Sequence, residues 1–460
     1  MQRPETTTPS APGDDGAPRR FDDHPTVRLL RSRPRPPAPL ALTRGAIVDA
    51  AIGAGADDAG AVSIDHPDLA EEREHVERAL PGVRTLVSLV MRTHADNIKS
   101  PSRSVANAEF HRVGHALDEV AARVTGALSS AGHRTINPAM AFPMEMAQFP
   151  GRTWVVSHKR VAVAAQLGRM GLHRNVIHPR FGSFVLLATV LTTAELEGAA
   201  EPLGFDPCVG CKLCVAACPV GAIEPSGAFR FSACYDHNYR EFMTGFGDLL
   251  EAVAESDDRH ALRERVSISE TASMWQSLAY QPNYKAAYCV AVCPAGEDVL
   301  GPYLGDRRAH LDAVVRPLTE REEDVYVVEG SDAQAHVAKR FPRKRVRVVR
   351  SSLRASDARG FFRALPLIFQ RGAAKGWSAT FHFALSGDAP TTATVRIDDG
   401  TLRVTEGLEG DFDVRVEADA RAWLDVVSGK RNAVAAVLTR RLRVRGDRSL
   451  LQRFARCFPR

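Results

Sequence analysis

Cys208-Val-Gly-Cys211-Lys-Leu-Cys214-Val-Ala-Ala-Cys218-Pro219 places four thiols in a C-x2-C-x2-C-x3-C-P run. A loop with a thiol at every third residue can wrap one face of an iron–sulfur cube, and the proline after the fourth cysteine turns the chain away. A zinc site would show two CxxC pairs set farther apart. Downstream, Cys289-Val-Ala-Val-Cys293-Pro294 repeats the C-x3-C-P ending. Where two such motifs share a chain, each lends its last cysteine to the other's cluster. By that rule Cys208, Cys211, Cys214 and Cys293 hold one 4Fe-4S cluster. Cys218 and Cys289 belong to a second cluster, with Cys234 as its third thiol. A regular second motif would carry another cysteine three residues before Cys289, and there the residue is Ala286. The second centre is then a 3Fe-4S cluster, an atypical 4Fe-4S cluster completed by solvent or by a side chain such as His237 or Tyr284, or absent. A three-cysteine cluster is the favoured reading.

The rest of the composition is that of an ordinary globular chain. Of 460 residues, 44% are hydrophobic and 25% charged, which suits roughly two to four domains. The net charge of +5 is too weak over this length to argue for nucleic acid. Seven of the eight cysteines belong to the constellation. Disulfides are therefore not the framework, and a reducing cytoplasm is the expected compartment. Cys457 reads as a small apolar filler. No apolar run reaches the roughly 18 residues of a membrane helix. The N-terminus lacks the apolar core of a signal peptide, and Arg19-Arg20 is followed by Asp22 and Asp23 rather than a hydrophobic stretch.

Residues 1–40 hold nine of the 28 prolines. Such a segment buries too little apolar surface to offset its ordering entropy, so a disordered tail is expected. Residues 41–200 alternate strand-like and helix-like segments, which argues an α/β layer. Residues 60–64 and 85–90 read as strands, 47–52 and 71–80 as helices. Phe110, Val113, Leu117, Val120, Val124 and Leu128 recur three or four apart along a longer helix that stops at Gly132. A soft apolar stretch, Met140, Phe142, Pro143, Met144, Met146 and Phe149, is either a pocket lining or irregular core. Gly168 and Gly171 mark either backbone that approaches a ligand or a helix end.

Residues 224–288 form an insert between the cysteine motifs. Tyr235-Asp-His-Asn-Tyr-Arg-Glu-Phe242 follows Cys234 and offers hydrogen bonds to cluster sulfurs. Trp275, Tyr280 and Tyr284 with Lys285 are a docking face or simple packing. Residues 320–350 read as strand, helix, strand. Of these, 339–350 hold seven basic residues and no acid: a surface for an acidic electron donor, RNA or lipid headgroups, or a strand with one wet face. The last part has alternating strands at 379–385, 392–397, 401–405 and 412–416, with Asp398-Asp399-Gly400 as a tight turn.

Two resemblances rest on these residues. Gln166-Leu-Gly-Arg-Met-Gly171, Asn175, Ile177, Pro179-Arg-Phe-Gly-Ser183 and the run ending Cys218-Pro-Val-Gly-Ala-Ile223 resemble the epoxyqueuosine reductase family and its reductive dehalogenase relatives. Phe110-His111-Arg112 resembles an aromatic-His-Lys segment of that family. This resemblance covers residues 45–305. It implies an α/β domain that binds cobalamin, with Gly168, Gly171 and Asn175 at the cofactor, and a two-cluster ferredoxin module that feeds it electrons. It also implies a second-cluster ligand at the place of Cys234. The chain departs from the family at three points. The family's catalytic acid falls near Arg152-Thr153, its Lys after the second glycine is Leu172, and Ala286 replaces a cluster cysteine. No catalytic residue is assigned. The second resemblance is to the sterol-carrier-type lipid-binding domain. It is carried by Asp398-Asp-Gly400, Ala422-Trp-Leu424 with Gly429, and Leu442-Arg-Val-Arg-Gly446-Asp447 through Leu450, Leu451, Phe454 and Phe458. It implies a sheet with helices over an apolar tunnel; a solid core is the alternative.

The expected architecture is an α/β N-terminal domain (41–200), a ferredoxin-like dicluster module (201–305), a β-α-β connector (306–354) and an α+β sterol-carrier-like domain (355–460). The expected function is electron transfer through iron–sulfur clusters within a cytoplasmic reductase. Its redox partner would be a ferredoxin, flavodoxin or reductase, and its substrate hydrophobic or cofactor-bound. A lipid carrier or redox sensor with structural clusters, and a cobalamin-dependent reductase, are the alternatives.

Overall fold

The computed structural model describes residues 23–33, 41–140, 154–353, 355, 357–387 and 389–459. In the first unit, Met1–Leu40, a helix spans Pro25–Arg31 where a disordered arm was expected. The reason is local. His24 accepts the Thr26 N–H at 3.2 Å, Pro25 presets the first turn, and Arg28 pairs with Asp23. Residues 1–22 and 34–40 of that expected tail lie outside the described residues.

Residues Ala41–Arg460 form one compact unit. Its N-terminal part is built on four strands in spatial order Asp58–Ser63, Thr85–Arg92, Val185–Thr192 and Thr135–Ile136. Helices alternate with strands, but every neighbouring pair runs antiparallel. The helix Ala70–Ala79 leaves and returns at the same edge of the sheet, because Ser63 lies opposite Thr85. The run at 85–90 is apolar throughout because both faces are covered. Leu86 and Val90 pack with Val76 and Val161, while Val87 and Leu89 pack with Leu117, Val120 and Val124 of the long helix Arg103–Ser130. Each such side chain fully buried is worth about 1.5–3 kcal/mol. Met140 joins the second of these cores. Phe142, Pro143, Met144, Met146 and Phe149 lie outside the described residues, as do Arg152 and Thr153.

The connector is a parallel strand pair, Asp324–Val328 with Arg345–Val349, bridged by the helix Asp332–Arg340. It is not a free-standing element. Val325, Val327, Ala333 and Val337 share one core with Cys214, Cys218, Val220 and Ile223. The basic stretch there is largely answered by carboxylates. Arg343 meets Glu320, Arg345 meets Asp324 at 2.8 Å, and Arg350 meets Glu251 and Glu255. Lys344 is buried against Glu323 at 2.7 Å. Val346 and Val348 are 37% and 54% exposed, so neither face of that strand is dry.

The C-terminal part is a five-stranded sheet in order Thr401–Glu406, Thr391–Asp398, Ser378–Ser386, Val414–Asp419, Leu442–Gly446. Only the central pair, Ser378–Ser386 with Val414–Asp419, is parallel. Asp399 and Gly400, with φ of 38° and 84°, form the two-residue turn between the first two strands. The interior is filled by rings. Phe361 and Phe383 lie 5.7 and 5.4 Å from Trp423, and Phe454 lies 4.9 Å from Phe381. Among the described residues no helix is long and apolar enough to cross a membrane.

Candidate iron–sulfur centre

The cysteine run folds as a loop followed by the short helix Leu213–Ala217. Gly210 and Lys212 both sit near φ +60°, which curls the loop back on itself. The Cys208 N–H donates to Asp206 at 2.8 Å and fixes the loop's entry. The second motif lies on the helix Tyr288–Ala291, which packs against the first helix. The segment 179–183 forms its wall. Glu297 and Asp298 donate their N–H groups to Pro179 and Arg180, and the Ser183 hydroxyl reaches Cys293 and the Val290 carbonyl. A Cβ on Gly182 would overlap the Ala295 carbonyl, and one on Gly296 would overlap Gly182. The Pro-Arg-Phe-Gly-Ser stretch is therefore a backbone bed for the Cys293 turn.

The thiols fall into two groups. The Cys293 and Cys214 thiols each feel the charge of Cys211, and Cys293 also feels Cys208. Cys208 shares a small apolar cluster with Cys293. The second group is Cys218, Cys234 and Cys289: Cys289 feels the charges of Cys234 and Cys218, and Cys234 that of Cys218. The groups adjoin, since Cys214 also feels Cys289. These neighbourhoods are compatible with the crossed ligand sets expected from the spacing, and Ala286 brings no thiol.

Burial dominates the acidity of these thiols. It pushes Cys214, Cys234 and Cys289 up to about 12 and Cys293 up to about 11, against an ordinary 9.0. Burial also raises Cys211 and Cys218. Thiolates there are stable only opposite a strongly cationic group. Among the described residues no three His, Cys, Asp or Glu side chains converge on a point that would hold a single metal ion. A cubane spreads its ligands over several irons, so wider-set thiols around a common centre are the donor set it needs. The residues fit iron–sulfur clusters and do not fit one mononuclear metal. Backbone amides support that fit: the turn after Pro219 brings Ala222 N–H to within 3.2 Å of the Cys218 sulfur.

Of the three residues expected at a cofactor, two do another job. A Cβ at Gly168 would overlap the Ile177 carbonyl, and one at Gly171 would lie 2.6 Å from the Ile177 side chain. These glycines allow Arg169–Met170 and Val176–Ile177 to pair closely. Asn175 does reach the centre. Its Oδ1 accepts from Lys159 Nζ at 2.7 Å, which leaves its amide nitrogen 3.9 Å from Cys289 Sγ. Leu172, in place of the family's lysine, packs into the core beneath Cys214 and Cys218. His237 is taken by the connector: its Nδ1 accepts the Tyr326 N–H at 3.3 Å. The Tyr284 ring packs among Phe110, His111, Tyr239 and Phe242. The phenol whose charge is coupled to Cys234 is that of Tyr239. Trp275 and Tyr280 contact each other and are 59% and 71% exposed, apart from the Tyr284 cluster. Lys159 was not foreseen from the sequence; it lies outside the cysteine pattern, in the run His158-Lys159-Arg160 ahead of an apolar stretch.

Comparison with known proteins bears on the first cysteine run and on the C-terminal part. Residues 205–224 match the 4Fe-4S binding domain family, and residues 367–459 match the SCP-2 sterol transfer family. The chain is similar to the epoxyqueuosine reductase of Gloeobacter violaceus, 27% identical over 190 residues, covering 40% of this chain and 54% of that one. It is 29% identical over 161 residues to that of a Synechococcus species, covering 33% and 45%. The solved epoxyqueuosine reductase of Streptococcus thermophilus aligns over 39% of this chain and 53% of its own, with 18% identity and a TM-score of 0.29. The chain thus spans about half the length of the curated relatives it matches. It joins a 4Fe-4S domain, within a segment similar to epoxyqueuosine reductases, to an SCP-2-like domain.

Proposed function

We propose that this chain is an iron–sulfur reductase that passes electrons through two adjoining clusters to a bound substrate. One observation carries the reading: seven buried or half-buried thiols lie near one another, so that Cys214 feels the charges of Cys289, Cys293 and Cys211, and Cys289 those of Cys234 and Cys218. Cys208, Cys211, Cys214 and Cys293 would hold the first cluster, and Cys218, Cys234 and Cys289 the second. Electrons supplied by a ferredoxin, flavodoxin or reductase would enter at one cluster and leave from the other. Structural clusters alone would not need two centres in contact.

A cobalamin-dependent reaction of the family type is not supported by this chain's own residues. Gly168 and Gly171 are used for packing, and Leu172 replaces the lysine. A second reading, transport of a hydrophobic molecule, is favoured by the SCP-2 match over 367–459. The ring-filled interior between Phe361, Phe383 and Trp423 counts against an open tunnel there.

The test is metal content and spectroscopy on anaerobically purified protein. About seven or eight irons per chain and reversible reduction support two redox clusters. About four irons would leave only the first. Cys211→Ser should change the cluster spectrum; an unchanged spectrum would overturn the assignment. Stoichiometric cobalt after growth with cobalamin would bring back the third reading.

A further inference from the structure

The second thiol group is one ligand short. Ala286 stands where the motif calls for cysteine, and the eighth cysteine, Cys457, is buried in the C-terminal core. His237 is held by the connector and Tyr284 by the aromatic cluster. A cubane on Cys218, Cys234 and Cys289 therefore has an iron that no cysteine of this chain reaches.

Donors gather around these same thiols. The Lys159 ammonium donates to Asn175 Oδ1 at 2.7 Å and to the Arg174 carbonyl at 3.0 Å. The charges that act on it are those of Cys289, Cys234 and Arg174. The Asn175 amide nitrogen lies 3.9 Å from Cys289 Sγ. His173, 3% exposed, accepts the Asn175 N–H on Nδ1 at 3.1 Å, so Nε2 carries the proton. That Nε2–H is buried with no hydrogen-bond partner among the described residues. Lys159 has exposed surface as a residue, while its ammonium end is turned inward to these groups. An ammonium, an amide and an unanswered imidazole N–H beside thiols, with no carboxylate in the set, make a surrounding for an anion.

We propose that the second cluster keeps one iron open to exogenous ligands, and that this iron takes a small anionic oxygen or sulfur donor held by Lys159 and Asn175. This rests on the two-cluster reading above. The open iron gives the chain a binding site for a small thiolate or oxyanion on the cluster itself, which a fully cysteine-ligated centre lacks.

The test uses the full chain, purified without oxygen, as wild type, Ala286→Cys and Lys159→Met. Iron content separates the two levels of argument. Four irons or fewer overturn the two-cluster reading and this proposal together; seven or eight irons leave the reading standing whatever follows. Ferricyanide removes one electron from a 4Fe-4S cluster in the 2+ state, and the 3+ cluster releases Fe2+ to leave 3Fe-4S at 1+. Wild type should lose about one iron in this way and show the EPR signature of a three-iron cluster, whereas Ala286→Cys should keep its iron. 2-Mercaptoethanol titrated into dithionite-reduced wild type should change the reduced-cluster EPR spectrum saturably. Ala286→Cys should not respond, and Lys159→Met should need about tenfold more thiol. If Ala286→Cys assembles poorly, the titration of wild type against Lys159→Met decides. Two intact clusters with no iron loss and no thiol response in wild type would overturn the open iron, and a wild-type response in Lys159→Met would overturn the role given to Lys159.

Discussion

Gly182 is the position at which the fold and the cluster meet most tightly, and Gly182→Ala should damage both. Gly182 lies at φ +65°, and a Cβ there would overlap the carbonyl of Ala295, two residues beyond Cys293. Two costs add. A side chain held in the left-handed region costs about 1–2 kcal/mol. Forcing apart a packed contact costs about 1–3 kcal/mol more, for a total of about 2–5 kcal/mol. Gly330 supplies the control. It has a similar φ of +71° but nothing within 4 Å of the place of a Cβ, so Gly330→Ala should cost only the first part. The displacement in Gly182→Ala falls on the turn that aims Cys293 at Cys208 and Cys211, so the first cluster should be lost preferentially. Anaerobic iron content and guanidinium unfolding midpoints of the three proteins are the assay. Equal midpoints and full iron in both variants would refute the reasoning, because the wall at 179–183 would then not be what positions Cys293.

Three further outcomes are expected. Lys344→Met removes the cation 2.7 Å from the buried Glu323, which Arg321 and Tyr288 also contact; with Arg321 left to answer the carboxylate the loss should be about 3 kcal/mol by denaturant unfolding, and Glu323→Gln in the same chain should recover part of it. Burial holds the His158 imidazole down at about 4 from 6.5; the unfolded chain therefore binds a proton that the folded chain refuses, so this contribution is full above pH 6.5 and is lost as pH falls through about 4, by roughly 3 kcal/mol at most, and His158→Gln should flatten that part of the pH–stability curve. Stripping the iron with ferricyanide and chelator leaves thiols that burial keeps protonated; hydrogen exchange should then rise at 208–218 and 286–293 while the strand Ser378–Ser386 keeps its protection.

The 4Fe-4S motif was legible because ligand spacing is a local code: four thiols in eleven residues, Cys208 to Cys218, leave few ways to wrap a cube. Cys234 was named as the remaining thiol between the two motifs, and the family resemblance implies the same place. Strand and helix positions were also legible, from the period of residues such as Leu117, Val120 and Val124. Strand direction was not. Whether a helical excursion returns to the same edge depends on the turn at Pro81-Gly82 and the pairing of Ser63 with Thr85, which no window of sequence contains. The same holds for Lys159 and His173. Lys159 reaches Asn175 by tertiary packing and His173 by a local turn, and a lone lysine or histidine carries no pattern. Lys339 to Arg350 misled in the other direction. A run of like charge in sequence became a set of separate ion pairs, because Glu320, Asp324, Glu251 and Glu255 arrive from other elements.

The SCP-2-like part is best understood through the helix it leans on. Phe231–Asn238 carries Cys234, and the helix Ala358–Ile368 packs against it. A cavity of about 20 Å³, one water in size, lies between them, lined by Arg230, Asp236, Tyr326, Ile368, Gln370 and Pro459. Polar contacts close the same seam. The Gln370 side chain accepts the Asp332 N–H at 2.8 Å, and the Asp332 carboxylate accepts the Gly372 N–H at 3.0 Å while facing Arg230 at 3.7 Å. Cys234 is the one second-group thiol that lies in neither cysteine motif, so its position depends on whatever fixes its helix. That support comes from the connector on one side and the C-terminal sheet's helix on the other. Unlike a tethered carrier on a linker, this domain packs against the helix that carries Cys234. Loosening the seam at Asp332 should therefore change the second cluster and leave the first, whose four thiols are all held within the two cysteine motifs.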